Sequence, residues 1–585
     1  MVKRLIFAAL LSLLAANQAR AADVACGRDT DAGASVDQVC PTPDADADGF
    51  PDSVATTSPF TAIAAATALD CDSTNPQLFP GVITGSGCAA SEARRCQDDG
   101  TYTSCFDFAT MNLSTQADDL CGTGYTNIEF FDPTKSADTG TGAFASQRNL
   151  LSLSDSSMAT YDDPTAGDCL IVLGSGDFTQ TYVDGATTRM LYFNAKDGTS
   201  SNKIQLVMLS GAALIGQGSS PTAVPIIQGV DSDYWVINGG EIDGTGGYST
   251  AGIDCNNCDN IEILNLTVHD IDGEQDNNLA GIKLDGADSV FVHNNIVYGN
   301  YERANPTGDN NAEIYVTHAD AFRVWSNLVY TTRVGGEGTG IKNKHAYSGT
   351  NSGSSIRGNI ILDTYKYGIK LHDQAITVTR NFLYNNAING TSSIGWIQDG
   401  TAVTFKNTLV YNNTIINGPG LETNSRESTT IGSPALGFYD NVVQDDKATT
   451  YGGDADFGLM RIDHYSDATV YANLVTSGAL TIHDNCYWNT TGLTLLFSIF
   501  GGGAHGAKYS GLAAFVSGTT FDDLSYNENP AFDVYDRATS TNCADKGWLL
   551  LTDDDGDPEP TPTPAPATTA TGGGKSHRSN IRGRR

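Results

Sequence analysis

Asparagine recurs ahead of two strand-forming residues through the middle of the chain. The steps between successive members run from 22 to 32 residues. Such a period indicates a repeat architecture, and the short apolar segments between polar turns are typical of strands rather than helix pairs. The sequence therefore predicts a β-solenoid, in which each repeat is one coil stacked on the next. The members are Asn265, Asn295, Asn327, Asn359, Asn381, Asn413, Asn441 and Asn473.

A second set of strands repeats with the same period, and three of them begin Gly-Ile-Lys, at Gly281, Gly340 and Gly368. Strand side chains alternate between faces, so every second residue of these strands shares the outer face. One outward column is predicted to hold Asp254, Lys283, Tyr315, Lys342, Lys370, Trp396 and Glu422. The other is predicted to hold Asn256, Asp285, Thr317, Lys344, His372, Gln398 and Asn424. Together they predict a cationic strip on one sheet face.

The composition limits the classes of partner. The chain has 33 Lys+Arg against 68 Asp+Glu, a formal net charge of −35. We therefore expect no binding of nucleic acid or of an anionic membrane surface. The basic start, the apolar run 5–16 and the small residues around Ala21 predict a signal peptide over 1–21. This places the protein outside the cell or in the periplasm, as in bacterial export, and no later segment resembles a membrane span.

Residues 22–122 are rich in Cys and Asp, which favours a small disulfide-linked module that binds Ca²⁺. Twelve Cys in an exported chain favour disulfides, and their pairing stays open. Cys255 and Cys258 are expected to form a disulfide or to be ordinary thiols. The Asp-rich stretches resemble the calcium loops of thrombospondin type 3 repeats, although Ala55 replaces the Glu of an EF-hand. An acidic linker is the alternative. The candidate ligands are Asp44, Asp46, Asp48, Asp52, Asp70 and Asp72.

The predicted organisation has five parts. The signal peptide (1–21) and the Cys/Asp-rich module (22–122) precede a connecting segment (123–164). The solenoid occupies 165–545. A Pro/Thr-rich linker and basic tail (546–585) follow, and their composition predicts disorder.

The Asn column and the Gly-Ile strands resemble the right-handed parallel β-helix of the pectate lyase superfamily. The segments Gly167–Leu173 and Tyr234–Gly244 resemble the first coils of secreted polysaccharide lyases. The resemblance implies an all-β fold in which an internal Asn ladder supports the turns and the first sheet lines a substrate groove. It also implies an acidic polysaccharide as the partner and Ca²⁺ as the cofactor.

Asn343-Lys344 resembles the Asn-Lys pair of the chondroitinase B and alginate lyase group, where the lysine removes the C5 proton of a uronic acid. That reaction requires a base and neutralisation of the neighbouring carboxylate. The resemblance implies Lys344 as base, His372 or Lys370 as acid or charge stabiliser, and Glu313 and Glu337 as Ca²⁺ ligands. The substrate contacts are predicted to be Asp254, Lys283, Asp285, Tyr315, Lys342, Trp396 and Glu422. The group's second Glu is replaced by Thr339 and its Arg by Leu371.

Two other functions fit the same strip. A glycoside hydrolase would use a pair of carboxylates such as Asp254, Asp285 or Asp399. A non-catalytic surface protein would use the solenoid only to bind carbohydrate, because one fold supports many functions.

Overall fold

The computed structural model describes most of residues 121–547, together with short strands at 83–84, 92–95 and 106–107. Its longest gaps are 218–223, 303–310, 331–337, 345–352, 399–406, 426–435, 445–458, 465–478, 490–496, 502–507 and 532–537. The predicted signal peptide, the aspartates of the predicted calcium module, Glu337, Asp399 and the C-terminal tail lie outside the described residues.

Three long sheets run along the molecule, and successive coils contribute one strand to each. Pairing within the sheets is parallel throughout, except where the last two strands of the first sheet pair antiparallel. Parallel strands stacked coil on coil in this way form a right-handed parallel β-helix, which confirms the predicted fold class.

The strands of the first sheet hold the predicted strip. They are Leu191–Asn194, Ile227–Val230, Ala251–Asn256, Ala280–Asp285, Ala312–Thr317, Thr339–Lys344, Ile369–Leu371, Ile394–Gln398, Leu421–Ser425, Met460–His464, Phe497–Gly501 and Lys508–Tyr509.

The second sheet follows the first after one turn of each coil. Its strands are Arg148–Asn149, Asn127–Asp132, Asp168–Val172, Ile204–Met208, Trp235–Asn238, Glu262–Leu264, Phe291–His293, Arg323–Trp325, Ser354–Arg357, Ile376–Thr379, Thr408–Tyr411, Leu436–Tyr439 and Leu480–His483. The strand Asn127–Asp132 pairs parallel with Asp168–Val172, so this sheet begins before the predicted boundary at 165.

The third sheet completes each coil. Its strands are Gly176–Phe178, Ala212–Ile215, Glu241–Asp243, Thr267–His269, Ile296–Tyr298, Leu328–Tyr330, Ile360–Leu362, Phe382–Tyr384, Thr414–Ile416, Val442–Gln444, Cys486–Trp488 and Tyr526–Asn527.

The remaining elements are short. A 3₁₀ helix spans Leu150–Leu153, and an α-helix spans Leu512–Thr519. No helix in the described part of the chain is long and apolar enough to cross a membrane. Smaller sheets are formed by Ile83–Thr84, Glu92–Arg95 and Phe106–Asp107, by Tyr182–Asp184 and Thr187–Arg189, and by Asp272–Gly273 and Tyr301–Glu302.

Aliphatic side chains fill the interior in columns, because equivalent strand positions stack between coils. Ile282, Ile314, Ile341 and Ile369 pair successively in the first sheet and are fully buried. Each such side chain contributes about 1.5–3 kcal/mol by leaving water. Glycine precedes three of these isoleucines, whereas Glu313 precedes Ile314. At Gly340 the cause is steric, because a Cβ there would lie 2.6 Å from the carbonyl oxygen of Gly368.

A ladder of buried asparagines lies at the turn between the second and third sheets. In each rung the side-chain Oδ1 accepts from the backbone N–H and the Nδ2 of the preceding asparagine, as Asn327 does from Asn295 at 3.0 and 2.9 Å. This confirms the predicted Asn column, with two corrections. The position below Asn295 belongs to Leu266 rather than Asn265, and the rung after Asn441 is Asn485. The described rungs are Asn295, Asn327, Asn359, Asn381, Asn413, Asn441 and Asn485.

Two disulfides close segments at the ends of the solenoid. Cys121 is bonded to Cys169, and Cys486 is bonded to Cys543. Cys255 and Cys258 are buried free thiols, in agreement with the second of the two alternatives expected for them. The other cysteines lie outside the described residues.

Candidate functional site

The register of the first sheet confirms the first five members of the predicted outward column. Asp254 pairs with Lys283, Lys283 with Tyr315, Tyr315 with Lys342, and Lys342 with Lys370. The first four members of the second column are confirmed in the same way. Asn256 pairs with Asp285, Asp285 with Thr317, and Thr317 with Lys344. Neighbouring members of a column therefore lie on adjacent strands whose backbones are about 4.8 Å apart.

The prediction for Trp396 was wrong by one residue. Gly395 pairs with Lys370 and with Glu422, so Gly395 stands in the outward column and Glu422 continues it. Trp396 pairs with Leu371 and packs in the core, because an indole gains more from burial there than from the outer face. The same shift moves Gln398 out of the second column and leaves Asn424 in it.

Burial divides the strip into two parts. Lys342, Lys370 and His372 are only 1–3% exposed, and Tyr315 and Glu422 are similarly buried. Lys283, Asp285 and Lys344 keep part of their surface in solvent. The strip is therefore not an open row of ammonium groups as predicted, and its accessible part lies around Lys344.

Each of three lysines in the strip has its own neighbouring group that stabilises the ammonium. Lys283 forms an ion pair with Asp254 at 3.3 Å. The ammonium of Lys342 lies 5.0 Å from the centre of the Tyr315 ring, and that of Lys370 lies 5.2 Å from the centre of the Tyr367 ring. Both are cation–π distances, which lower the cost of placing a cation in a buried environment.

A histidine that the sequence reasoning did not select lies beside Lys344. His318 follows Thr317 directly, and its backbone N–H donates to the carbonyl oxygen of Lys344 at 3.0 Å. Its Nδ1 lies 2.9 Å from an oxygen of Asp285, and about a third of each side chain is exposed. The strand pattern placed His318 past the end of the strand, where alternation no longer assigns a face. Its position one residue after an outward residue was the available signal.

Two groups on this face have perturbed protonation. Burial raises the pKa of Tyr315 to about 12, although a hydrogen bond with Thr317 opposes the rise. Tyr315 is therefore a neutral phenol that can donate a hydrogen bond. Burial also raises the pKa of the Asp254 carboxyl, against the ammonium of Lys283, which lowers it.

Glu313, predicted as a Ca²⁺ ligand, is turned away from the strip. It is fully buried, and its Oε2 accepts hydrogen bonds from the side chain and backbone of Asn300 at 2.6 and 3.2 Å. Burial raises its pKa well above the ordinary value, so the carboxyl is held in the neutral form. A neutral, enclosed carboxyl is poorly suited to bind Ca²⁺.

One group of side chains on the third sheet could hold a metal ion. Ligand atoms of Glu241, Asp243 and His269 lie within 4.8 Å of one another. Burial alone would lower the pKa of His269, but hydrogen bonds with Asp270 and Glu241 raise it. The sequence analysis missed this group. The available signal was the strand register, which pairs Asp243 with His269 of the next coil.

Comparison with known proteins gives similarity only at the level of structure. No protein-family model matches the sequence, and no curated protein matches it. The pectate lyase Pel9A is 14% identical, with 57% of this chain and 80% of that chain covered and a TM-score of 0.40. An alginate lyase from Paenibacillus sp. str. FPU-7 is 15% identical, with 46% of this chain and 87% of that chain covered and a TM-score of 0.33.

A mannuronic acid specific polysaccharide family 6 lyase from human gut microbiota is 12% identical, with 65% of this chain and 78% of that chain covered and a TM-score of 0.34. The fold of the present chain rests on its own strand pairings, in which three long sheets run coil by coil along one axis. By that topology the chain is a right-handed parallel β-helix protein.

Proposed function

We propose that the protein is a secreted polysaccharide lyase that cleaves a uronic-acid-containing polysaccharide by β-elimination on the outer face of the first sheet. The observation that carries the proposal is the partly exposed cluster of Lys344, His318 and Asp285 on neighbouring strands. It combines an amine with an imidazole held by a carboxylate. These are the groups needed to remove one proton and deliver another.

Lys344 is the base in this proposal and removes the C5 proton of the uronate. Loss of that proton places negative charge on the sugar carboxylate, and nearby cations stabilise the charge. Lys283 is the partly exposed cation of the neighbouring column, and Lys342 and Lys370 lie deeper under the same face. Departure of the 4-O-linked sugar then completes the double bond between C4 and C5.

The leaving oxygen requires a proton. His318 is the proposed donor, because Asp285 orients its partly exposed ring through Nδ1 at 2.9 Å. Tyr315 keeps its proton at neutral pH, but it is as enclosed as Lys370 and is given no contact with the leaving oxygen. This assignment replaces His372 and Lys370 as the first choice of acid, because both are nearly fully buried. Ca²⁺ remains a proposed cofactor, and the assay below includes it as a variable.

The test is a lyase assay on alginate, pectate and chondroitin, with and without Ca²⁺, that follows the ultraviolet absorbance of the unsaturated uronate. We expect activity on at least one substrate, lowered about 10²–10⁴-fold by Lys344→Ala and His318→Gln. Lys203→Ala and His293→Gln are matched controls on the second sheet, and we expect them to keep wild-type activity. Absence of product on all three substrates would reject the lyase.

A glycoside hydrolase is the second candidate, and the raised pKa of Asp254 favours it. A carboxyl that stays protonated at higher pH can act as a general acid, with Asp285 on the next strand as its partner. This function predicts release of reducing ends without new absorbance, and dependence on Asp285 but not on Lys344. Binding without turnover that survives Lys344→Ala would instead indicate a carbohydrate-binding protein.

A further inference from the structure

The outer face of the third sheet carries a histidine surrounded by carboxylates, away from the strip on the first sheet. Asp243 and His269 are directly paired on neighbouring strands, and Glu241 lies two residues before Asp243 on the same face. The Nε2 atom of His269 lies 2.7 Å from an oxygen of Glu241, and its Nδ1 lies 3.9 Å from an oxygen of Asp243. Three donor atoms therefore converge from two adjacent coils.

The imidazole is held firmly in this position. Its ring stacks on Tyr298 of the next coil, with centroids 4.9 Å apart and planes 6° apart. Its Nδ1 also lies 3.0 Å from an oxygen of Asp270, and only 9% of the side chain is exposed. The bond from Nδ1 to Asp270 fixes the orientation of the ring, as a carboxylate does around metal-bound histidines, and it turns Nε2 toward Glu241.

The carboxylates differ in hydrogen bonding and exposure, which suits a site that loads from solvent. Both oxygens of Asp243 accept hydrogen bonds from Thr245, at 2.7 Å from the backbone N–H and 2.8 Å from the hydroxyl. Asp243 is therefore fixed in place. Glu241 is 43% exposed, so this carboxylate is in contact with solvent.

A second histidine provides an internal comparison. His293 also stacks on an aromatic ring of the next coil, that of Trp325 at 4.2 Å, and it also lies beside a carboxylate of the previous coil, Glu262 at 3.3 Å. There, however, Lys203 forms an ion pair with the same carboxylate at 3.0 Å. Around His269, three carboxylates face one imidazole, and within the described part of the chain no lysine or arginine forms an ion pair with them.

We propose that Glu241, Asp243 and His269 bind a divalent transition metal of the zinc class, which ties two coils of the third sheet together. One imidazole nitrogen and two carboxylate oxygens are three ligands of a tetrahedral zinc site, and water supplies the fourth. Ca²⁺ would require six to eight oxygens, so this donor set favours zinc. The site lies on a different sheet from the strip and does not depend on the proposed lyase activity.

The test is titration of the full-length protein, freed of metal with a chelator, with ZnCl₂ followed by isothermal titration calorimetry. We expect one zinc to be lost from the binding stoichiometry, or its affinity to fall at least about 100-fold, in Glu241→Gln and in His269→Gln. Asp270→Asn should weaken the same zinc about 10-fold by releasing the ring. His293→Gln is the matched control, and it should bind zinc as the wild type does.

Zinc soaked into crystals gives an independent readout, because its anomalous scattering should peak between the three side chains. This measurement also separates the site from the thiols of Cys255 and Cys258, which lie inside the solenoid. If zinc binding is identical in wild type, Glu241→Gln and His269→Gln, the proposal is overturned. The group is then an imidazolium held by carboxylates.

Discussion

Two ladders of polar side chains run along the solenoid, one buried and neutral and the other half-exposed and acidic. The asparagine ladder lies between the second and third sheets. The acidic ladder lies between the first and second sheets, where each Asp side chain accepts a hydrogen bond from the backbone N–H of the Asp in the next coil. Its members are Asp197, Asp233, Asp259, Asp288 and Asp320, with contacts of 3.1, 2.8, 2.8 and 2.8 Å.

The two ladders differ in the hydrogen-bonding groups of their side chains. A carboxamide has both a donor and an acceptor, so Asn295 can donate to Asn327 while it accepts from Leu266. A carboxylate only accepts, so successive aspartates are joined through the backbone and their charges repel. Burial and the neighbouring carboxylates Asp233 and Asp288 raise the pKa of Asp259 to about 6. A solenoid can therefore bury an amide ladder completely, whereas its carboxylate ladder needs contact with water.

Replacing an asparagine of the buried ladder by aspartate, and an aspartate of the acidic ladder by asparagine, tests this difference. The largest effect on stability is expected in the buried ladder. Asn295→Asp replaces the Nδ2 donor that reaches the carbonyl of Ile263 at 3.0 Å and Asn327 at 2.9 Å, and places acceptors against acceptors. We expect a loss of about 3 kcal/mol or more in the free energy of unfolding at pH 7. The measurement is urea-induced unfolding.

Asn294→Asp is the matched control for that change. Asn294 is the neighbouring residue, half-buried, and its backbone has a positive φ of 55° that Asp also tolerates. We expect this variant to stay within about 0.5 kcal/mol of wild type. Equal losses of unfolding free energy in the two variants would show that the asparagine ladder contributes no more to stability than a neighbouring turn residue.

The reverse exchange should stabilise the protein. Asp259→Asn keeps the oxygen that accepts from the N–H of Asp288 at 2.8 Å and removes the repelling charge. For a fully buried group, a rise of the pKa to about 6 would correspond to roughly 3 kcal/mol. Partial exposure screens this, so we expect a gain of about 1 kcal/mol at pH 7. A lower stability of Asp259→Asn at neutral pH would contradict the account.

Much of the fold could be predicted because residues that contact each other in neighbouring coils recur in the sequence at a nearly regular spacing. The Asn column and the Gly-Ile strands predicted the register from Asp254 to Lys370 correctly. The prediction failed where a coil broke the local pattern. Trp396 was placed in the outward column after Lys370, whereas Gly395 holds that position and the indole is buried in the core.

The candidate site was less predictable, because burial on the outer face depends on what packs over it. Strand alternation places Lys342 and His372 outward, but it does not specify that they are nearly enclosed. His318 was missed because alternation ends with the strand. The acidic ladder was also visible as aspartates at coil spacing, but the sequence analysis did not select these residues.

The smallest expected effect concerns the pH and salt dependence of the acidic ladder. The pKa of Asp259 is about 6 in the folded protein and 3.8 ordinarily, so the folded state holds the proton more tightly. Stability therefore falls as the pH rises from about 4 to about 6. The greater stability of Asp259→Asn over wild type should appear over that window and be absent below it.

The same difference in stability should shrink by a few tenths of a kcal/mol when salt is added at pH 7, because ions screen half-exposed charges. Thermal unfolding of both proteins across pH and salt measures this difference, and an advantage that is constant from pH 3 to pH 7 would assign the gain to packing instead of charge.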